Sequence, residues 1–187
     1  AIYGTAVELG LDYFEVLRLL SELESVSGRF QYIISNEKIT AIVDYAHTPD
    51  ALENVLKTIN DIRTKNEQLI TIVGCGGDRD KAKRPIMANI ASAMSDKTII
   101  TSDNPRTEKP EDIIADMEQG VEPQNFKKTM SITDRKQAIQ AACQMAQPND
   151  IILIAGKGHE TYQEIQGVRY DFDDMKIVKE LLIQLNK

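Results

Sequence analysis

Short apolar runs alternate with helical patterns along most of this chain, and this alternation restricts its fold more than any other feature. Five runs have the length of strands, at residues 39–43, 69–73, 98–101, 128–132 and 151–155. Helical patterns lie between and after them, at residues 49–62, 85–94, 110–118, 134–146 and 173–185. Strands that alternate with helices predict an α/β fold, with a mostly parallel sheet and helices on both faces.

Turn and cap residues refine this prediction near the first strands. Residues 32–35 and 39–43 flank Asn36-Glu37-Lys38, which indicates a hairpin and therefore one antiparallel strand. Thr48-Pro49-Asp50 is typical of a helix start. A threonine can cap the helix, a proline fits its first position, and an aspartate favours the positive end of the helix dipole.

The two ends of the chain depart from the alternation. Residues 162–165 and 168–171 flank Gln166-Gly167 and predict a closing hairpin. Residues 1–30 indicate one or two helices with buried apolar faces, broken at Ser27-Gly28. The apolar positions of that segment are Leu9, Leu11, Phe14, Val16, Leu17, Leu19, Leu20 and Leu23. Because the segment has no strand of its own, we interpret it as the tail of a preceding domain.

The composition excludes several classes of protein. A length of 187 residues, 42% of them hydrophobic and 27% charged, suits one α/β domain with or without a remnant of another. The net charge of −7 argues against a nucleic-acid partner, and no apolar run approaches the ~20 residues of a membrane span. Cys75 and Cys143 form no disulfide framework, which favours a cytoplasmic setting. The chain begins at Ala1 with neither a signal peptide nor an initiator methionine, so we expect a piece of a longer protein.

Four polar loops follow the predicted parallel strands. Ligands bind beyond the carboxyl ends of the strands in sheets of this kind, so we expect the loops to meet in one site. The loops are Asp44-Tyr45-Ala46-His47-Thr48-Pro49, Gly74-Cys75-Gly76-Gly77-Asp78-Arg79-Asp80-Lys81, Ser102-Asp103-Asn104-Pro105-Arg106 and Gly156-Lys157-Gly158-His159-Glu160.

The residue types in these loops suit a zwitterionic ligand. Arg79 and Arg106 can hold a carboxylate or phosphate, while Asp103, Asn104 and Glu160 can accept from an ammonium group. Taken singly, each loop also has a plain structural interpretation. The glycine loop fits a tight strand–helix turn, and the loop before Arg106 fits an Asx-type turn with a surface arginine.

These motifs, in this order, resemble those of the Mur ligases, and among them the branch that adds meso-diaminopimelate. The motifs are Gly28-Arg29-Phe30, the first loop extended through Asp50-Ala51-Leu52, the second and third loops, and the fourth loop preceded by Ala155. The resemblance extends from the first residues to the last helix. It implies a Rossmann-like C-terminal domain at residues 31–187 and a helical tail of the central ATPase domain at residues 1–30.

The resemblance also implies roles for particular residues. Arg29 and Asp44 would contact the phosphates and the ribose of ATP, with His47 and Asn54 near the nucleotide. The positions that match the meso-diaminopimelate site are Arg79, Asp103, Asn104, Pro105, Arg106, Gly156 and Glu160. The full-length enzyme would use ATP and Mg²⁺ to form an acyl phosphate on a UDP-N-acetylmuramoyl dipeptide. The amine of the incoming amino acid would then attack it.

The sequence departs from the family by omission. It contains no P-loop and no counterpart of the family's magnesium ligands or carbamylated lysine. We therefore assign no catalytic residue and no metal ligand in this chain. We expect it to be inactive alone and to bind no cofactor tightly, with the UDP-linked dipeptide bound by domains upstream of Ala1.

Two other interpretations stay open. One is a lysine-adding Mur ligase, or the similar domain of a folylpolyglutamate or cyanophycin synthetase. Arg106 argues against lysine, because lysine ends in an ammonium group where meso-diaminopimelate carries a second carboxylate. The other is a non-catalytic, anion-binding α/β module, which would bind a nucleotide or phosphate without preferring an amino acid.

Overall fold

A six-stranded sheet forms the centre of the computed structural model, which describes residues 2–21 and 28–187. The strands are β1 (Gln31–Ile34), β2 (Thr40–Asp44), β3 (Leu69–Cys75), β4 (Lys97–Ser102), β5 (Thr129–Ser131) and β6 (Ile151–Ala155). Their order is β1-β2-β6-β3-β4-β5. Every neighbouring pair is parallel except β1 with β2, which confirms the predicted sheet with one antiparallel strand.

Helices cover both faces of this sheet, as the alternation predicts. The helices are α1 (Ile2–Glu8), α2 (Tyr13–Ser21), α3 (Pro49–Ile62), α4 (Lys83–Met94), α5 (Pro110–Glu118), α6 (Arg135–Met145) and α7 (Asp174–Gln184). Side chains of α3, α4 and α5 form one buried cluster, and those of α6 and α7 form another on the opposite face. Every residue of β3 is buried, as expected of a parallel strand covered on both sides.

Local signals set the start of α3 and the position of the last hairpin. The Thr48 hydroxyl accepts from the Ala51 N–H at 3.3 Å, and Pro49 occupies the first turn. The predicted hairpin is confirmed as β7 (Tyr162–Ile165) paired with β8 (Val168–Asp171). These two strands form a separate two-stranded sheet.

The predicted strand at residues 128–132 is wrong at its beginning. A 3₁₀ helix, Pro123–Lys128, precedes a strand of only three residues. The Thr129 hydroxyl donates to the Asn125 carbonyl, and the Lys128 ammonium donates to the Ser95 carbonyl. These contacts hold the chain in a helical turn until β5 pairs with β4 at the edge of the sheet.

The N-terminal segment forms two helices, as predicted, and several of its apolar side chains face solvent in this chain. Leu9, Leu11 and Phe14 are 77%, 59% and 68% exposed, whereas Val16 is buried. The side chains of Leu17, Leu19 and Leu20 and all of residues 22–27, including Leu23 and Ser27, lie outside the described residues. Within residues 2–21 and 28–187, no helix is long and apolar enough to cross a membrane.

Candidate functional site

The four polar loops meet, as predicted, at the carboxyl edge of the sheet. They surround a cleft of about 670 Å³ together with the start of α4 and the first residue of β7. The side chains and glycines that bound it include Tyr45, His47, Gly74, Cys75, Gly76, Arg79, Lys83, Asp103, Asn104, Arg106, Gly156, Glu160 and Tyr162. Among the residues assigned to the amino-acid site, only Pro105 does not line this cleft.

A second cavity of about 710 Å³ lies near the amino ends of β2 and β6. Its lining includes Phe30, Tyr32, Ile59 and Ile62 and none of the four polar loops after the parallel strands. Ligands of open parallel sheets bind at the carboxyl edge instead, so the smaller cleft is the better candidate site.

Asp103 is the most unusual acid of the cleft. Its side chain is buried, and within the described part of the chain no donor forms a hydrogen bond to its carboxylate. The nearest cation is the Lys157 ammonium, 3.8 Å from Oδ1. Burial raises the pKa of Asp103, while the charges of Arg135 and Lys157 oppose that rise. The carboxylate borders the cleft with no protein donor on it, so an ammonium group of a ligand in the cleft could donate to it.

A buried lysine connects the other two acceptors. The fully buried Lys157 ammonium donates to Asn104 Oδ1 at 3.0 Å and to Glu160 Oε2 at 3.3 Å. Asn104 Nδ2 also donates to Glu160 Oε2, at 2.8 Å. Lys157 and Asn104 both donate to Oε2 of Glu160, so its other oxygen, Oε1, keeps its capacity to accept from a ligand.

Arg106 reaches the cleft from a strained backbone conformation. Its φ of +51° lies in the left-handed region, which side chains rarely adopt. The guanidinium donates from Nη1 to the Gly77 carbonyl at 2.8 Å. The side chain of Arg79 is exposed, and no described residue forms a hydrogen bond or ion pair with it. The cleft therefore presents two guanidinium groups that can pair with anions.

Glycines allow the loops to approach this closely. A Cβ on Gly156 (φ +121°) would lie 2.5 Å from Asp103 Oδ2, and one on Gly77 would lie 2.0 Å from the Pro105 carbonyl oxygen. The buried Pro105 thus serves the site through its backbone, which packs against the glycine loop.

The residues predicted to contact ATP are only partly brought together. Asp44 Oδ2 accepts from the Phe30 N–H at 2.7 Å, which places the exposed Arg29 beside the end of β2. His47 packs against Tyr45, with ring centroids 4.5 Å apart. Asn54 lies on the exposed surface of α3 and does not line the cleft.

Several residues that shape the site were not predicted. The fully buried Arg84 guanidinium donates to both carboxylate oxygens of Glu108, at 2.8 and 3.0 Å, and holds the pKa of Glu108 down at about 2. Glu108 also accepts from the Asp78 N–H, so it joins the glycine loop to the loop of Asp103. The position of Lys157 between Gly156 and Gly158 was a weak sequence indication that this lysine belongs to the site. Burial raises the pKa of the Cys75 thiol to about 12, which excludes it as a nucleophile at neutral pH.

The fold and the cleft define a class of protein: a Rossmann-like α/β domain with an open cleft at the carboxyl edge of its sheet, where such folds bind ligands. The sequence profile described as "Mur ligase, glutamate ligase domain" matches residues 28–158. The chain therefore belongs to the Mur ligase family.

Two relatives share the name UDP-N-acetylmuramoyl-L-alanyl-D-glutamate--2,6-diaminopimelate ligase. The protein from Cytophaga hutchinsonii is 58% identical over 187 residues, which are 100% of this chain and 38% of that protein. The protein from Bacteroides thetaiotaomicron is 55% identical over 181 residues, 97% of this chain and 38% of that protein. The chain thus spans well under half the length of these relatives.

Solved structures agree with this family. A structure with the same ligase name is 44% identical and matches with a TM-score of 0.79, over 99% of this chain and 37% of the other. The UDP-N-acetylmuramate-alanine ligase of Thermotoga maritima is 18% identical, with a TM-score of 0.64 over 98% of this chain and 35% of the other. That second likeness shows a shared fold only.

Proposed function

We propose that this chain is the amino-acid-binding part of an ATP-dependent ligase that adds meso-diaminopimelate to UDP-N-acetylmuramoyl-L-alanyl-D-glutamate. The names of relatives at 55% and 58% identity support this substrate. Because the chain spans 38% of their length, the complete reaction belongs to the longer protein. Its setting is cytoplasmic, where ATP and the nucleotide-linked precursor are present.

The buried Asp103 carboxylate carries the proposal. It lines the cleft together with Glu160, and no described residue donates a hydrogen bond to its carboxylate or to Glu160 Oε1. An ammonium group has three donors and a positive charge, and it therefore satisfies both acids at once. This favours a ligand with an amine over a simple phosphate or nucleotide, and so argues against a general anion-binding module.

Arg106 and Arg79 supply the anionic side of the recognition. An amino acid with a carboxylate at each end can pair with both acceptors and both arginines, whereas lysine leaves one arginine without an anion. This difference favours meso-diaminopimelate over lysine. The solved folylpolyglutamate synthase of Thermotoga maritima is 18% identical, a likeness that shows a shared fold only.

The nucleotide would bind at the same carboxyl edge of the sheet, beside the end of β2. We propose that Asp44 accepts from the ribose through its free oxygen Oδ1, that Arg29 faces the phosphates, and that His47 and Asn54 lie nearby. The described residues contain no cluster of three metal-ligating side chains, so Mg²⁺ would be held by other parts of the protein. With so few contacts, we expect weak ATP binding and no turnover by this chain alone.

Exposed apolar side chains in the turn between α1 and α2 and at the start of α2 support a domain boundary near residue 30. Leu9, Leu11 and Phe14 would be buried if residues 1–30 packed against a central ATPase domain, with residues 31–187 as a separate domain. We propose that arrangement for the longer protein.

Titration calorimetry with meso-diaminopimelate and L-lysine tests the substrate. We expect Arg106→Ala to weaken meso-diaminopimelate binding by about 2–5 kcal/mol, because it removes one partner of a charge pair, and to leave lysine binding almost unchanged. Lys179→Ala, which removes the same charge from the exposed surface of α7, serves as the control. An unchanged ratio of the two affinities would remove Arg106 as the selectivity residue.

A further inference from the structure

The β7–β8 hairpin is bonded to the loop that carries Arg106. The Arg106 N–H donates to the Glu164 carbonyl at 3.0 Å, and the Gln166 N–H donates to the Arg106 carbonyl at 2.7 Å. The Glu164 N–H donates to Asn104 Oδ1 at 2.8 Å. Two strands of four residues are barely stable in water alone, so the hairpin and this loop depend on each other.

Two glutamine side chains extend the contact at both ends of the loop. Gln163 Nε2 donates to the Asp103 carbonyl at 2.6 Å, and Gln166 Nε2 donates to the Thr107 carbonyl at 3.2 Å. Every residue from Asp103 to Thr107 except Pro105 is thereby hydrogen bonded to the hairpin. The loop is held along its whole length rather than at one point.

This attachment matters because Arg106 has a φ of +51°. A residue with a side chain in the left-handed region returns to more favourable angles unless its surroundings prevent it. Both the N–H and the carbonyl of Arg106 form hydrogen bonds with the hairpin. These two hydrogen bonds hold the backbone conformation from which the Arg106 guanidinium reaches the Gly77 carbonyl at the cleft.

The residue type at position 166 also supports a role for the hairpin in holding the loop of Arg106. Gln166 and Gly167 have φ values of +50° and +77° and form the two-residue turn of the hairpin. Asparagine or aspartate is the favoured residue at the first position of such a turn. Asparagine is one methylene shorter, however, and would not reach Thr107. The longer side chain is therefore explained by the contact rather than by the turn.

We propose that Gln163 and Gln166 are specificity-positioning residues, which hold Arg106 where its guanidinium can read the distal carboxylate of the amino acid. The proposal rests on the proposed function, since it assigns these residues to selection of the same substrate. It places the origin of selectivity partly in a hairpin outside the central sheet.

The test compares the chain with its double variant Gln163→Met, Gln166→Asn. These substitutions keep the size of one side chain and suit the turn at the other, but remove both hydrogen bonds. We expect meso-diaminopimelate affinity to fall roughly tenfold by calorimetry, the loss typical of two such bonds, and lysine affinity to stay within about twofold. Val168→Thr is the control in the same hairpin, at a half-exposed position.

A double-mutant cycle with Arg106→Ala isolates the mechanism. If the glutamines act through Arg106, the double variant should cause no further loss of affinity once Arg106 is alanine. Equal losses with and without Arg106, or equal losses for both amino acids, would overturn the inference and leave the proposed function intact. If Arg106→Ala alone leaves meso-diaminopimelate binding unchanged, the proposed role of Arg106 fails and this inference fails with it.

Amide hydrogen exchange gives a second measurement without a ligand. We expect the Arg106 N–H to exchange faster in the double variant, because its acceptor on Glu164 is less firmly held. Unchanged protection of that amide would contradict the proposal. If the double variant folds poorly, Gln166→Asn alone repeats both measurements with an expected loss of about threefold.

Discussion

Replacing Glu108 with glutamine should destabilise the fold more than any exposed charge substitution. The Arg84 guanidinium is fully buried and forms ion pairs with Glu108 and with Asp116, each at 2.8 Å. Arg84 Nε is buried without a partner in the described residues, so this guanidinium depends on its remaining bonds. Glu108→Gln keeps the shape of the side chain but removes the charge that pairs with Arg84.

The expected loss follows from this geometry. Removing one partner of a buried pair costs about 3–5 kcal/mol. The Glu108 side chain is 18% exposed and Asp116 remains, so we expect a smaller loss, about 2–3 kcal/mol. For a domain of this size, that corresponds to a decrease in Tm of roughly 4–12 °C.

The pH dependence provides an independent check. Hydrogen bonds from Arg84 and from the Asp78 N–H lower the pKa of Glu108 from 4.5 to about 2, so the ionised carboxylate stabilises the folded state. That contribution is complete above pH 4.5 and is lost as the pH falls through 2. The stability difference between the wild type and Glu108→Gln should therefore be constant from pH 7 to 5 and decrease below pH 4.5.

Urea denaturation followed by circular dichroism at pH 7, 5, 4 and 3 measures both effects. Glu180→Gln, at an exposed position on α7, is the matched control and should change stability by less than about 0.5 kcal/mol. A loss below about 1 kcal/mol at pH 7 for Glu108→Gln, or a loss that is independent of pH, would refute the reasoning.

Three further predictions concern the buried charges and the selectivity of the cleft. Asp103→Asn should stabilise the chain at neutral pH, because burial raises the pKa of Asp103. In thermal denaturation, this gain in stability should grow as the pH rises from 3.8. Calorimetry should show that the same variant binds meso-diaminopimelate more weakly. Asp174→Asn should cost about 3–5 kcal/mol in urea denaturation, since Arg135 and Asp174 form an ion pair with no exposed surface on either side chain. Fusing the chain into a diaminopimelate ligase should preserve turnover, and Arg106→Ala in that fusion should raise the KM for meso-diaminopimelate but not for ATP; equal changes in both would contradict the proposed site.

Periodicity and turn chemistry are properties of neighbouring residues, and they predicted the elements well. The apolar run of β3 indicated a strand covered on both faces, and the predicted bounds of α5, β6, β7 and β8 agree with the structure. The rule that ligands bind at the carboxyl edge of a parallel sheet correctly predicted that the four polar loops surround one cleft. The 3₁₀ helix at Pro123–Lys128 escaped prediction, because contacts with Ser95 and within the turn decide it.

The charge states and partners in the cleft depend on strand order, which the sequence alone did not reveal. β6 lies between β2 and β3, and this neighbourhood brings Lys157 next to Asn104, more than fifty residues earlier in the chain. Burial of Lys157 and the missing donors of Asp103 follow from that packing rather than from any local pattern. The sequence by itself determined the types of residue that reach the cleft and the elements that carry them. The tertiary structure decided which of those residues are already bonded to one another and which are left to bind a ligand, because hydrogen bonds and desolvation depend on neighbours that only folding brings together.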